Sequence, residues 1–302
     1  MSPRADRRAI AVTPALLRRW PLPRAHADGD KQERGVALVI GGSTEVPGAL
    51  LLAGVAALRA GAGKLQLAGP RPICVSLGVA VPEARVIPLP ETATGNLDRN
   101  AGKRAAEHAE GADAFLVGPG MLDEDAIQQM MELLLPRIAR GPLVLDAMAL
   151  SSLRGGRYRF SADAQVLLTP NYAEMARLTG DTLESVARDP AAVATALARA
   201  IDGVVALKGP DTYIATPDGE LFHYSTGKVG LATSGSGDVL AGIAVGLLAR
   251  GATAEQAGAW AVYLHGEAGN NLARSIGPVG FLARELLPEI SRVMKGLGRR
   301  RG

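Results

Sequence analysis

The 302-residue chain has one cysteine, Cys74, and four histidines, His26, His108, His223 and His265. An internal disulfide is therefore excluded, and no cysteine or histidine cluster shows metal-ligand spacing. No serine or cysteine stands at a recognisable distance from any histidine, so no histidine is assigned a role. Aromatic residues make up only 4% of the chain. A basic stripe interleaved with stacking aromatics is missing as well, which speaks against nucleic acid as a partner. Apolar stretches are broken by Gly, Arg or Glu before they reach spanning length, and MSPRADRRAI is followed by no apolar core of signal-peptide size. The expectation is a protein of a reducing, cytoplasmic setting with no membrane partner.

What is present is ordinary for a folded globular chain: 47% hydrophobic residues, 21% charged residues and a formal charge of +3. Much of that excess sits in terminal arginines such as Arg4, Arg7, Arg8, Arg299, Arg300 and Arg301, read as solvated tails. The 37 glycines suggest many close backbone approaches. Residues 1–34 read as a polar, proline-containing lead-in with a short helical piece around Ala15 to Trp20. Residues 35–295 read as one domain, and 296–302 as a basic tail.

From Val36 on, short aliphatic runs alternate with helical stretches. VALVI at 36–40 precedes a helix over Ala49 to Ala60, then KLQLA at 64–68. AFLVG at 114–118 precedes a helix over Ala126 to Ile138. PLVLD at 142–146 and VLLT at 166–169 follow, with a helix beginning near Tyr172, then VVALKG at 204–209. Continuous apolar runs of strand length are buried on both faces, and this alternation predicts an α/β fold with a mostly parallel central sheet flanked by helices. TYIAT and ELFHY around Pro217-Asp218-Gly219 read as a hairpin. Helices are expected over Val239 to Arg250, Ala254 to Leu272 and Phe281 to Met294, with Gly251 and Gly277 as stops.

The sharpest local feature is TSGSGDVLAGIAVGLLARG at 233–251. Glycines let backbone amides crowd at a helix N-terminus and form an anion site. Asp238 in the first turn would then lie near enough to a bound phosphate to take a proton from an attacking hydroxyl. The same residues also read as a helix N-cap after a tight turn. Thr226-Gly227-Lys228 and Thr233-Ser234 add small and donor-bearing groups. Gly41-Gly42-Ser43 to Gly48 forms a second glycine-rich turn, without the spacing or the acidic residue of a Rossmann cofactor site. Gly118-Pro119-Gly120, Asp146, Thr169-Pro170-Asn171 with Glu174, and Lys208-Gly209 each close a predicted strand, and so converge on one sheet edge where ligands collect in such folds. Lys208 reads either as a phosphate partner or as a solvated charge.

Taken in order, these motifs resemble the ADP- or ATP-dependent NAD(P)H-hydrate dehydratases of the ribokinase-like superfamily, over about Val12 to Leu287. The carriers are VALVIGGSTEVPGALLLAGVAALRAGAGKLQLA, FLVGPG, LVLDAMAL, LLTPNYAEMARLTG, VVALKGPDTYIATPDG and STGKVGLATSGSGDVLAGIAVGLLARG. The resemblance implies a three-layer ribokinase-like fold. It implies repair of hydrated nicotinamide cofactors, (6S)-NADHX and NADPHX: the ring hydroxyl is phosphorylated by ADP or ATP with Mg2+, and phosphate then leaves. By motif match, Asp238 is the base, and the amides of Gly235, Ser236 and Gly237 form the anion hole, Gly237 also touching AMP. Ala49, Gly120 and Asn171, with Asp238, line the substrate; Lys208, Gly209, Pro210, Asp211 and Thr212, with Gly237, line the adenine nucleotide. No metal ligand is assigned.

Residues 1–34 are too short for the epimerase domain that some relatives carry in front, so a stand-alone dehydratase is expected, a tetramer served by a separate epimerase. Two departures stand out. Where the family commonly has His-Pro-Gly-Glu this chain has Asn171-Tyr172-Ala173-Glu174, and where it has LDADAL this chain places Met148. Asn171 still donates and accepts hydrogen bonds; Met148 does not replace a carboxylate. The alternatives are a small-molecule kinase of the same superfamily, which would release a stable phosphoester, and a nucleotide-binding homologue that has lost catalysis.

Overall fold

A computed structural model of the chain describes residues 9–23, 34–156, 159–161, 163–225 and 229–298. Ten strands form one sheet: β1 (Ile10–Ala11), β2 (Val36–Ile40), β3 (Lys64–Pro70), β4 (Ala84–Leu89), β5 (Ala114–Val117), β6 (Leu143–Leu145), β7 (Val166–Leu168), β8 (Val204–Leu207), β9 (Asp211–Ala215) and β10 (Leu221–Ser225). Their order is β1-β10-β9-β8-β7-β6-β5-β2-β3-β4. Pairing is parallel from β4 through β8, and β9 is antiparallel to both its neighbours. Strand order reverses between β2 and β5, the kind of switch point at which loops diverge and leave a crevice.

The central strands are apolar on both faces because helices cover both. Along β2, Ala37 and Val39 face one core while Leu38 and Ile40 face the other; Leu116 and Phe115 of β5 divide in the same way. The first core is closed by α1 (Pro14–Arg19), α2 (Pro47–Ala60), α3 (Arg71–Ala80), α9 (Ser236–Ala249), α10 (Ala254–Ser275) and α11 (Ala283–Gly298). The second is closed by α4 (Arg99–Glu107), α5 (Glu124–Ile138), α6 (Tyr172–Thr179), α7 (Leu183–Arg188), α8 (Pro190–Ile201) and a 3-10 run over Ala147–Gly156. The three-layer α/β arrangement read from the sequence is therefore the observed one.

α9 is the central helix, buried along nearly its whole length from Val239 to Ala249, which suits a helix apolar on every side. Its glycines let it lie against α2 backbone to backbone. A Cβ on Gly242 would stand 2.2 Å from the carbonyl oxygen of Ala53, and one on Gly246 would stand 2.4 Å from that of Ala57. No side chain fits in that seam.

Two boundaries shift from the sequence reading. Ile10–Ala11, inside the stretch read as a lead-in, pairs in parallel with β10, and Leu17 of α1 is fully buried. An apolar face on so short a helix finds its partner in the domain. Residues 296–298, read as the start of the tail, form the last turn of α11, where Leu297 is buried and its carbonyl accepts from Arg18 Nε at 3.3 Å. The terminal arginines, His26 and Thr226-Gly227-Lys228 lie outside the described residues.

Candidate active site

Ladder hydrogen bonds continue one residue past the central strands: Gly41 N to Ala68 O, Gly118 N to Ile40 O, Asp146 N to Val117 O and Thr169 N to Leu145 O, at 3.0–3.1 Å. The loops thus leave the sheet in register and at one edge. Two of them clasp each other. Gly42 N donates to Pro119 O at 2.7 Å. A Cβ on Gly41 would lie 2.3 Å from that same oxygen, so only glycine lets the loops approach this closely. Gly120, with φ +70°, sits against Val46 O, the Ala49 methyl and Gly42. Ala49 and Gly120 are therefore neighbours, at the N-terminal end of α2.

Asp146 turns inward at the end of β6, just before Ala147, which carries a positive φ of 49°, a conformation that costs an alanine energy and is held by its surroundings. The Asp146 carboxylate is almost completely buried and accepts from Thr169 Oγ1 at 2.6 Å and from Lys208 Nζ at 2.8 Å. Lys208 is 18% exposed and also stands 3.8 Å from Glu174 Oε2. It is thus not a solvated charge. Burial works against its ammonium, but the Asp146 and Glu174 carboxylates outweigh burial and hold its pKa above the ordinary lysine value. Glu174 and Asn171 form a reciprocal capping box at the start of α6, Glu174 N donating to Asn171 Oδ1 at 2.9 Å and Asn171 N to Glu174 Oε2 at 2.8 Å. Asn171 is thereby fixed beside Lys208, with which it shares a β-bridge.

Across from this cluster begins α9. Its N-cap is Gly235, in the left-handed region at φ +85°, with no side-chain cap. Asp238 is consequently the third helical residue and not the cap, which sets aside the N-cap reading. The first-turn amides have no acceptor inside the helix. That of Ser236 donates to Thr233 O at 3.2 Å, so the Gly237 and Asp238 amides are the first-turn donors with no acceptor inside the helix. A Cβ on Gly237 would stand 3.4 Å from Lys208 Nζ, so the lysine, the glycine turn and Asp238 share one space. Burial first, then the Asp146 and Glu174 carboxylates against the pull of Lys208, lift the Asp238 carboxyl from 3.8 to about 7. A carboxyl poised there exchanges a proton readily at neutral pH.

The remaining sequence candidates fall around this centre. Gly209 lies under the Tyr172 ring, whose atoms would stand 2.6–2.7 Å from a Cβ there. Asp211 Oδ1 is 3.1 Å from His223 Nε2, and Thr212 is buried at the start of β9. Lys208 to Thr212 is thus one continuous wall, with Pro210 at the bend between β8 and β9. Met148 lines a small cavity of about 150 Å³ with Met121, Glu174 and Arg177. One residue passed over in the sequence belongs to the site: His265 of α10, whose Nε2 is 2.8 Å from Ser236 Oγ. Nothing local signals it, because the pair is 29 residues apart.

Comparison with known proteins agrees with this geometry. Residues 37–292 match the profile of the NAD(P)H-hydrate dehydratase family. The chain is 45% identical over 293 residues to the ADP-dependent (S)-NAD(P)H-hydrate dehydratase of Xanthomonas campestris, covering 97% of this chain and 98% of that one. It is 39% identical over 280 residues to a bifunctional NAD(P)H-hydrate repair enzyme of Moorella thermoacetica, of which it spans 53%. The crystal structure of the Bacillus subtilis ADP/ATP-dependent NAD(P)H-hydrate dehydratase, co-crystallised with ATP/Mg2+, superimposes with a TM-score of 0.85 at 31% identity, covering 96% of this chain and 99% of that one. With the sheet, the glycine turn and the buried carboxylates arranged as described, the chain belongs to the NAD(P)H-hydrate dehydratase family.

Proposed function

We propose that the protein repairs hydrated nicotinamide cofactors, converting (6S)-NADHX and NADPHX to NADH and NADPH at the expense of ADP or ATP. The observation that carries this is Asp238: a carboxyl raised to about 7, in the first turn of a helix opened by glycines and facing Lys208. The ring hydroxyl of the hydrate gives its proton to Asp238 while its oxygen attacks the terminal phosphoryl group. The Gly235 to Asp238 turn receives the negative charge that develops. AMP leaves when ADP is the donor, and ADP leaves when ATP is. The C–O bond to phosphate then breaks, a ring proton is lost, and the dihydronicotinamide is restored. The net change is one water removed from the hydrate and one nucleotide phosphate released as inorganic phosphate.

Each neighbour has a part in this. Lys208, kept charged by Asp146 and Glu174, neutralises the nucleotide phosphates, and Gly209, Pro210, Asp211 and Thr212 line the rest of the nucleotide. Ala49, Gly120 and Asn171 line the hydrated nicotinamide. Among the described residues, no group of three acidic, histidine or cysteine side chains could cage a metal ion. Magnesium would arrive on the phosphates and borrow one or two carboxylate oxygens, the usual habit of that ion. Glu174, beside Lys208, is the hard oxygen donor that would hold it, and when bound it would supply charge neutralisation to the transferred group.

The same reading makes the enzyme a cytoplasmic homotetramer served by a separate epimerase. Supporting it, relatives such as that of Moorella thermoacetica are bifunctional repair enzymes, and the apolar side chains of Val75 and Val79 on α3, each 80% exposed, are available to a subunit contact. The test is recovery of near-ultraviolet absorbance when the protein is incubated with NADHX, Mg2+ and ADP or ATP, with Asp238→Asn as control. Recovery that is lost in the variant supports the dehydratase. A stable phosphoester without recovery points instead to a small-molecule kinase, and nucleotide binding without turnover, unchanged in the variant, points to a homologue that has lost catalysis.

A further inference from the structure

Ser236 is 4% exposed, and both of its ends are tied down. Its amide donates to Thr233 O at 3.2 Å, and its Oγ meets His265 Nε2 at 2.8 Å. The sharp turn at Gly235, in the left-handed region, leads straight into these anchors and, two residues further on, into Asp238. A buried hydroxyl left without its partner costs free energy, so a loss at position 265 would act on the turn before it acted on anything else.

The imidazole is well placed to hold something still. It stands on α10, and its neighbours on that helix are pressed against the chain leading to the turn. A Cβ on Gly266 would lie 2.2 Å from the Tyr224 ring, and one on Gly269 would lie 2.7 Å from the Leu231 side chain. The Tyr224 hydroxyl is in turn bonded to Glu267 at 2.8 Å. Residues 265, 266, 267 and 269 thus form one ridge against the approach to α9. Burial, then the charge of Lys208, pushes the His265 pKa down to about 4. A ring that is neutral at pH 7 has one donor and one acceptor nitrogen, and it does not exchange protons with substrate in the working range.

We propose that His265 is a positioning residue for the phosphoryl-transfer step: through its hydrogen bond to the Ser236 hydroxyl it fixes the Gly235 to Asp238 turn in the geometry that serves the transferred phosphate. This rests on the dehydratase reading above. It differs from that reading in making Ser236 an anchor through its side chain, with His265 as the fixed point on another helix.

Four variants test it: His265→Ala, His265→Gln, Ser236→Ala and the double His265→Ala/Ser236→Ala. They are compared with wild type in steady-state turnover of NADHX with ADP and Mg2+, and in amide hydrogen exchange over residues 235–239 without substrate. Displacing a reacting group slightly costs up to about a hundredfold. His265→Ala is therefore expected to lower kcat between about tenfold and a hundredfold, with KM for ADP nearly unchanged. Glutamine offers an amide nitrogen where Nε2 stood and should restore most of the rate. The double variant should be no slower than the slower single, because both remove one interaction. Exchange at 235–239 should quicken in the alanine variants and slow again with glutamine. The inference is overturned if glutamine is as slow as alanine, if the two losses multiply in the double variant, or if exchange is the same in all proteins. A wild type that leaves NADHX untouched defeats the dehydratase reading, whereas the exchange pattern still decides whether His265 holds the turn.

Discussion

Replacing Asp238 by asparagine is expected to make the protein more stable at pH 8 while removing its turnover. Burial, then Asp146 and Glu174 against the pull of Lys208, raises this carboxyl from 3.8 to about 7. Below pH 3.8 the folded and unfolded chains both carry the proton. Between 3.8 and 7 the folded chain keeps a proton that the unfolded chain releases, so rising pH favours unfolding; above 7 the cost is constant. Each pH unit of difference is worth about 1.36 kcal/mol, which sets a ceiling of about 4 kcal/mol. Solvent reaching the site and relaxation around the charge bring the working figure to roughly 2 kcal/mol. Asparagine carries no such cost, so Asp238→Asn should unfold roughly 4 °C or more above wild type at pH 8, at about 2 °C or more per kcal/mol for a chain of this size. Thermal unfolding of both proteins from pH 4 to pH 9, alongside the absorbance assay, measures this. The gap should open from near zero at pH 4 and level off above 7. A variant no more stable than wild type at pH 8, or a gap independent of pH, would refute the account of Asp238 as a carboxylate held at an energetic cost.

Further expectations follow from the same cluster. In wild type, kcat/KM should rise with pH up to about 7 and then level, because Asp238 acts as a base only when it has lost its proton. Lys208→Met removes the charge that pulls the Asp238 pKa down, so its acid limb should move to higher pH. The same change leaves Asp146, 2% exposed, without its cation and should cost roughly 3 kcal/mol in urea unfolding. Two alanine variants two residues apart should behave oppositely. Gly235→Ala forces a methyl into φ +85° and 2.6 Å from Leu52 Cδ1, and should lose roughly 1–2 kcal/mol of stability or more. Gly237→Ala meets only Lys208 Nζ, at 3.4 Å, so it should keep its stability within about 0.5 kcal/mol and lose ADP affinity in a calorimetric titration.

The parts of the fold that bury uniform apolar surface were the most legible. VALVI became β2 residue for residue, and the run after GSGD became α9, begun three residues earlier than expected. What escaped notice lies where burial is uneven. β4 is an edge strand with a half-exposed pattern and Pro88 within it, and α4 packs through Ala101, Gly102 and Ala105 with no large side chain. In α3, Val75 and Val79 face outward and blur the apolar period. Of the site, the strand-end loops could be read because each ends an apolar run. The ion pair of Lys208 with Asp146, 62 positions apart, and the contact between Ser236 and His265 join residues from different strands and helices, so no local spacing announces them.

The glycine seam between α2 and α9 reaches beyond packing. One helix begins at Pro47 and carries Ala49 in its first turn, beside the loop proposed to take the hydrated ring, and the other begins at the turn proposed to take the phosphate. With backbone resting on backbone at Gly242 and Gly246, neither helix has slack to slide along the other. The two substrates would then meet on a single anvil, whose spacing is set four and eight residues from Asp238, about 6 and 12 Å down the helix, by glycines buried against α2.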